Sequence, residues 1–196
     1  GNNDLGGDAS NTIFGYLAGD AIISGSVNNT VFGSGAFEDF AHTSADGNTV
    51  LGVNAMGGGH STATNNTGSY NIAIGGNAVG GSTGTSTAIT AAKNVGIGWG
   101  ALATTSTASE NIALGFDAAN ALTTGVQNVV IGNLAGQAMT TEDECVLIGY
   151  NAGNALTDDA ADGTVAVGYA ALTALTTGAG NTAIGYNSMN DIVTGQ

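Results

Sequence analysis

The chain has no proline, a single cysteine and a single Lys or Arg, and only 8% of its 196 residues are charged. Each shortage removes a class of protein. Cys145 alone cannot form an internal disulfide, so packing and hydrogen bonds must hold the fold. With Lys93 set against 15 Asp and Glu, the net charge of −14 leaves no phosphate-gripping surface and excludes nucleic acid as a partner. It also excludes attraction to an anionic membrane. No apolar run approaches the roughly 20 residues that span a bilayer, so no membrane insertion is expected, and no basic n-region of a signal peptide opens the sequence. The lack of proline leaves backbone donors free for an unbroken ladder.

What the sequence does have is glycine, 34 of them, placed at a period. Gly15, Gly33, Gly52, Gly75, Gly98, Gly115, Gly132, Gly149, Gly168 and Gly185 are separated by 18, 19, 23, 23, 17, 17, 17, 19 and 17 residues. A period near 17 indicates a stacked array and not one closed core. Collagen is excluded because glycine does not fall at every third residue. Disorder is excluded because the 42% hydrophobic residues sit at fixed phases. The expectation is an all-β parallel β-solenoid of about ten coils, one elongated domain over residues 1–196 with a partial leading coil at 1–10.

The residue before each repeat glycine is always large and apolar: Phe14, Phe32, Leu51, Ile74, Ile97, Leu114, Ile131, Ile148, Val167 or Ile184. Two places earlier every residue is β-branched, from Thr12 through Ile72 and Val129 to Thr182. Both suit a pleated strand, and their size predicts that these two positions face the core. The position between them, from Ile13 through Ala73 and Gly96 to Ala183, is then expected on the opposite face, where it is never polar. A strand apolar on both faces needs a second packing partner. Long exposed apolar stripes are rare on soluble monomers, so the pattern predicts a side-by-side homo-oligomer, a homotrimer by cyclic symmetry; the alternative is a monomeric solenoid with a wide apolar interior.

Three places beyond each glycine stands Ala, or Ser188 in the last unit, which predicts an inward corner with no room for a larger group. Ahead of each strand stands Asn11, Asn29, Asn48, Asn71, Asn94, Asn111, Asn128 or Asn181, replaced by Cys145 and Thr164 in two units. Stacked at a rung spacing of about 4.8 Å, these amides suit a hydrogen-bonded ladder. They equally suit a turn in which Asn bonds its own backbone.

Candidate sites are sparse. The acidic residues Glu142, Asp143, Glu144, Asp158, Asp159 and Asp162 gather at similar phase in neighbouring units, where calcium would relieve repulsion. No calcium-binding nonapeptide or EF-hand loop accompanies them, so solvated surface charge is expected, with no metal site and no cofactor. His42 and His60 form no metal-ligand pattern. No nucleophile with a partnered base is evident, and no catalytic residues are assigned. The two 23-residue units carry extra residues at 60–70 and 80–93, and insertions in a solenoid project from one edge of the stack. His60, Tyr70, Lys93 and Trp99 are therefore the candidate receptor-binding residues, although Trp99 also occupies the ordinary aromatic place after the glycine. Paired threonines such as Thr123-Thr124 and Thr140-Thr141 point to opposite strand faces and argue against ice binding.

The units Asn111-Ile-Ala-Leu-Gly-Phe-Asp-Ala-Ala-Asn-Ala-Leu-Thr-Thr-Gly125 and Asn181-Thr-Ala-Ile-Gly-Tyr-Asn-Ser-Met189 resemble the "NTAIGYNAL…TTG" repeats of phage tail fibres. They are also similar to the shorter "VAIG" repeats in the heads of trimeric autotransporter adhesins. The resemblance covers nearly the whole chain and implies a trimeric, left-handed parallel β-roll. It implies a non-enzymatic structural and receptor-binding segment of a tail fibre, located on the virion, whose partner is a host cell-surface glycan or protein. The alternatives are an extracellular bacterial surface adhesin and, less favoured, a polysaccharide-degrading tailspike.

Overall fold

The computed structural model describes residues 10–20, 22, 25–38, 44–57, 66–80, 89–157 and 161–195. His42, His60, Asp158, Asp159 and all of the leading coil but Ser10 lie outside them. Ten strands form one parallel sheet in sequence order. They are β1 Thr12–Phe14, β2 Thr30–Phe32, β3 Thr49–Leu51, β4 Ile72–Ile74, β5 Val95–Ile97, β6 Ile112–Leu114, β7 Val129–Ile131, β8 Val146–Ile148, β9 Val165–Val167 and β10 Thr182–Ile184. The chain is an all-β solenoid, as the glycine period predicts.

Pairing joins like positions on every rung: Thr12 with Thr30, Ile13 with Val31, Phe14 with Phe32, and so to β10. Units of 17, 19 and 23 residues share this register because the extra residues fall between the glycine corner and the next Asn. Each sequence position therefore becomes a column running along the rod.

The two faces are the reverse of the expectation. In every strand the middle residue is buried, while both flanking residues are exposed or half-buried. The large residues before the glycine thus face outward, and Ile13, Val31, Ala73, Gly96, Val130, Leu147 and Ala166 line the interior. The reason is width. Opposite the strand the returning chain brings in the buried Ala column, Ala18 through Ala171, and large buried side chains such as Phe37, Leu102, Leu156 and Leu172, which already fill the interior.

Within that space, volumes compensate at particular contacts. Leu147 faces Gly153, and Gly96 faces Val79 of the preceding rung. A Cβ at Gly153 would lie 2.7 Å from Leu147 Cδ2, and one at Gly136 would lie 2.5 Å from Met139 Sδ and 2.8 Å from Leu147 Cδ1. Interiors packed to this density register one methyl group.

The corners use the left-handed backbone region. The second and fourth residues after the repeat glycine take positive φ, as at Asn151 (60°) and Leu172 (51°), and so does the residue before the ladder Asn, as at Lys93 (58°) and Gln127 (60°). Non-glycine residues rarely adopt this region, at a cost of roughly 1–2 kcal/mol each. The repeat glycine has φ of 128–145°, and a Cβ there would strike the carbonyl of the glycine on the next rung, as Gly132 over Gly149 illustrates.

The compensation predicts a specific coupling. A Cβ at Gly96 would meet Val79 Cγ2 at 2.6 Å and Ala101 O at 3.2 Å. Gly96→Ala is expected to cost about 1–3 kcal/mol by overpacking. In a Val79→Ala background that cost should fall by at least half, measured by urea denaturation of the four chains. Equal costs in both backgrounds would refute the pairing.

Candidate interaction surface

The buried Asn column is a ladder. Asn71 Oδ1 accepts from Asn94 N at 3.0 Å and from Asn94 Nδ2 at 3.2 Å, while Asn71 Nδ2 donates to Asn48 Oδ1 at 3.2 Å and to Ala91 O at 2.9 Å. The same bonds recur from Asn11 to Asn128. The ladder and turn roles are thus combined, since each amide bonds both its neighbour in the column and a turn carbonyl.

At Cys145 the ladder stops. The Cys145 amide N–H still donates to Asn128 Oδ1 at 2.9 Å, and its Sγ lies 3.5 Å from Ala161 O, where Asn would place its Nδ2. Burial pushes the thiol up to about 11, helped by the nearby negative charge of Glu142 and Asp162. Thr164 Oγ1, next in the column, is buried without a partner.

Several acidic side chains serve the turns. Asp46 accepts from Val27 N at 2.9 Å, Asp143 from Val126 N at 2.7 Å, and Asp162 from Asp143 N at 2.8 Å. Glu142 is fully buried in a column that otherwise holds only Ala, Gly and Ser among the described residues. Its Oε2 accepts from Thr140 N and Thr141 N, and its Oε1 has no partner. The solvated charge expected for this cluster is corrected at Glu142. Its neighbour Glu144 is exposed. Among the described residues no group of three His, Cys, Asp or Glu is placed to hold a metal ion. The Thr column is likewise structural, with Thr123 Oγ1 donating to Thr140 O at 2.9 Å.

The receptor-binding candidates separate. Tyr70 and Lys93 occupy successive rungs of the column before the ladder Asn, both exposed. Lys93 Nζ bonds Glu110 Oε1 at 3.0 Å, an exposed pair, and this bond, with a second from Gln127, holds the Glu110 carboxyl below its ordinary value. Trp99 stands at the other end of β5 in the column after the glycine, its ring lying over Gly76 of the preceding rung.

That last column borders the largest feature of the surface. Each of ten rungs presents three outward residues: the first and third of the strand and the one after the glycine. None of these is charged and none is buried. Phe14, Phe32, Leu51, Ile97, Ile112 and Ile184 are exposed in the strand columns. In the third column Tyr150, Tyr169 and Tyr186 stack at centroid separations of 5.2 Å. Near the first rungs, Phe14, Phe32, Leu51 and Val53 line a groove of about 410 Å³. At about 4.8 Å per rung and 3.3 Å per residue the stripe covers roughly 650 Å² in plan. Patches on soluble monomers reach about 300–600 Å².

Sequence reasoning found this stripe but assigned it to the wrong residues, and the signal that separates the faces is size. The small, variable middle position belongs to the crowded interior, and the uniformly large flanks belong outside. No helix among the described residues is long and apolar enough to cross a membrane. Comparison with protein-family models, curated proteins and solved structures finds no match.

Two outcomes follow from the ladder. Asn71→Ala strands the Asn94 N–H and the Ala91 carbonyl in the interior and should cost roughly 2–5 kcal/mol. Asn181→Ala, at the half-buried end of the column, should cost less than half as much in the same thermal melt. Cys145→Asn restores a rung and should stabilise by about 1 kcal/mol. In the unsubstituted chain at about pH 8, thiolate is on the order of one part in a thousand, so iodoacetamide should label Cys145 only after denaturation. Rapid labelling of the folded protein would contradict its burial.

Proposed function

We propose that this chain is a non-enzymatic structural and receptor-presenting segment of a trimeric phage tail fibre, with three copies packed side by side along the uncharged stripe. The observation that carries this reading is that thirty outward positions hold no charged residue on a chain of net charge −14. Such a surface is suited to burial. Its roughly 650 Å² approaches the ~800 Å² per partner of a standard interface, and its columns of identical residue types suit a symmetric seam. Among the described residues every charged side chain lies outside these thirty positions.

A rod locked by parallel pairing along roughly 43 Å suits the mechanical task of holding a recognition surface at a distance. In this reading Trp99 belongs to the border of the seam. Tyr70, Lys93 and the connecting segments then form the surface offered to a host glycan or protein.

Sedimentation equilibrium tests the assembly. The native chain should behave as three copies of 18.9 kDa, and Ile131→Lys with Ile148→Lys should yield folded single chains. A native monomer, stable at micromolar concentration, overturns the trimer. For the recognition role, binding to host cells should fall at least tenfold in a chain carrying Tyr70→Ala and Lys93→Ala with its mass unchanged. Undiminished binding would remove those residues from the role.

A further inference from the structure

Between the last strand column and the column after the glycine runs a channel whose floor is the glycine column itself, bare of side chains from Gly15 to Gly185. Its walls are the large residues before the glycine and the residues that follow it. The second wall is high at Tyr16, Phe116 and the stacked Tyr150 and Tyr169, and the Trp99 ring takes the side-chain place of Gly76. It drops on two successive rungs, at Ser34 and Val53. There the channel opens into the groove of about 410 Å³ lined by Phe14, Phe32, Leu51 and Val53.

The groove is preformed and offers a ligand almost nothing to hydrogen-bond. Gly33 N donates to Phe14 O at 3.0 Å and Gly52 N to Phe32 O at 2.9 Å, so these peptide groups serve the rungs. Strand pairing holds the wall residues in one register. Of the lining side chains only Ser34 is polar. Such a site selects by shape and apolar area. Its outer rungs are about 10 Å apart along the axis, and its two wall columns are about 7 Å apart across it. An elongated, flat ring system fits those dimensions, lying against Phe14 and Phe32, whose rings are tilted by 31° at a centroid separation of 5.5 Å.

Charge selects further. The first three coils contain no Lys or Arg, and their described charged residues are Asp20, Glu38 and Asp46, all acidic. On a chain of net charge −14 an anionic ligand is repelled, whereas a cation is drawn to the acidic coils and to the Phe rings.

We propose that this groove is a binding site for a flat, elongated aromatic cation, one per chain, lying along the rod axis. The site is independent of the side-by-side assembly proposed above but constrains it, because the seam then leaves the column after the glycine open at Ser34 and Val53.

Thioflavin T, a flat benzothiazolium cation, is the probe. Followed by fluorescence, it should saturate the native chain at one site per chain, and a sulfonated phenylbenzothiazole should bind roughly tenfold more weakly or worse. Ser34→Trp with Val53→Trp fills the groove with a residue type that the same column carries at Trp99, and should weaken thioflavin T binding by roughly tenfold or more. Asn133→Trp, the same change in the same column outside the groove, should leave the affinity unchanged. In the isotope-labelled native chain, the dye should shift the amide signals of residues 14–15, 32–34 and 51–53 and leave those of β6 to β8 in place, a readout that needs no variant.

Absence of binding by the native chain, equal affinity of the doubly filled chain, or shifts spread evenly along all ten strands would overturn the inference. Equal binding of the sulfonated dye would overturn the assignment to a cation. Binding only by the chain carrying Ile131→Lys and Ile148→Lys would put the groove inside the seam and overturn it as a site of the native protein.

Discussion

In a parallel stack with one register, each residue lies between residues of its own column, and that translation decides what a column can hold. A group is useful there only if it attracts a copy of itself one rung away. The Asn side chain meets this condition, since Oδ1 of Asn48 receives what Nδ2 of Asn71 gives. Tyrosine rings meet it by stacking, as Tyr150 and Tyr169 do at 15° between planes. Glycine meets it by vacating the space that the next glycine's carbonyl occupies. A charged side chain fails unless its neighbour is polar or of opposite sign, or unless backbone N–H groups meet its charge, as they do for Asp143 and Asp162 on adjacent rungs. Accordingly the column Tyr70, Lys93, Glu110, Gln127 alternates, and the scarcity of charge follows from the fold as much as from any partner.

This rule explains how much of the fold was legible. Glycine period, strand position, the small corner residue and the Asn column are all properties of columns, and repetition amplifies each of them. The direction each column faces is not amplified. Assigning the large strand residues to the core fails here because the interior is already filled from the returning chain, by Phe37, Leu102, Leu156 and Leu172 among others. The compensation between Leu147 and Gly153, or between Gly96 and Val79, was present in the sequence. It would have identified the middle position as the interior one. The positive-φ column before the Asn was marked on only some rungs: Asn28, Gly47, Gly163 and Gly180 announce a left-handed backbone, whereas Tyr70, Lys93, Glu110, Gln127 and Glu144 do not.

The surface was legible by its consequence more than by its residues. An apolar outer stripe was expected, and one exists, carried by the flanking positions in place of the middle one. Of the patch expected from the longer units, Tyr70 and Lys93 share a column, Trp99 belongs to another, and His60 lies outside the described residues. Glu142 was grouped with the exposed acids because its sequence neighbours are acidic. Its column, otherwise Ala, Gly and Ser among the described residues, was the better guide, and it places the carboxylate among turn amides in the interior.

Two directions of association thus rest on different physics. Along the axis, rungs recognise one another through directional hydrogen bonds whose register is fixed by Asn and glycine, so a stack can grow only by units that share the pattern. Across the axis, the stripe offers no hydrogen-bond code and no charge, only area and the regular relief of branched and aromatic side chains. An apolar surface of that kind is permissive. In the side-by-side assembly proposed above, selectivity between lateral partners comes from shape, and the partner whose relief repeats at the same spacing along the whole rod is another copy of the rod. Where the axial code lapses, at Cys145 and Thr164, the strands keep their register because backbone pairing and the glycine column continue through both rungs. The ladder therefore adds stability to a register that the backbone already enforces, which is why the fold tolerates two breaks in the Asn column and none in the glycine column.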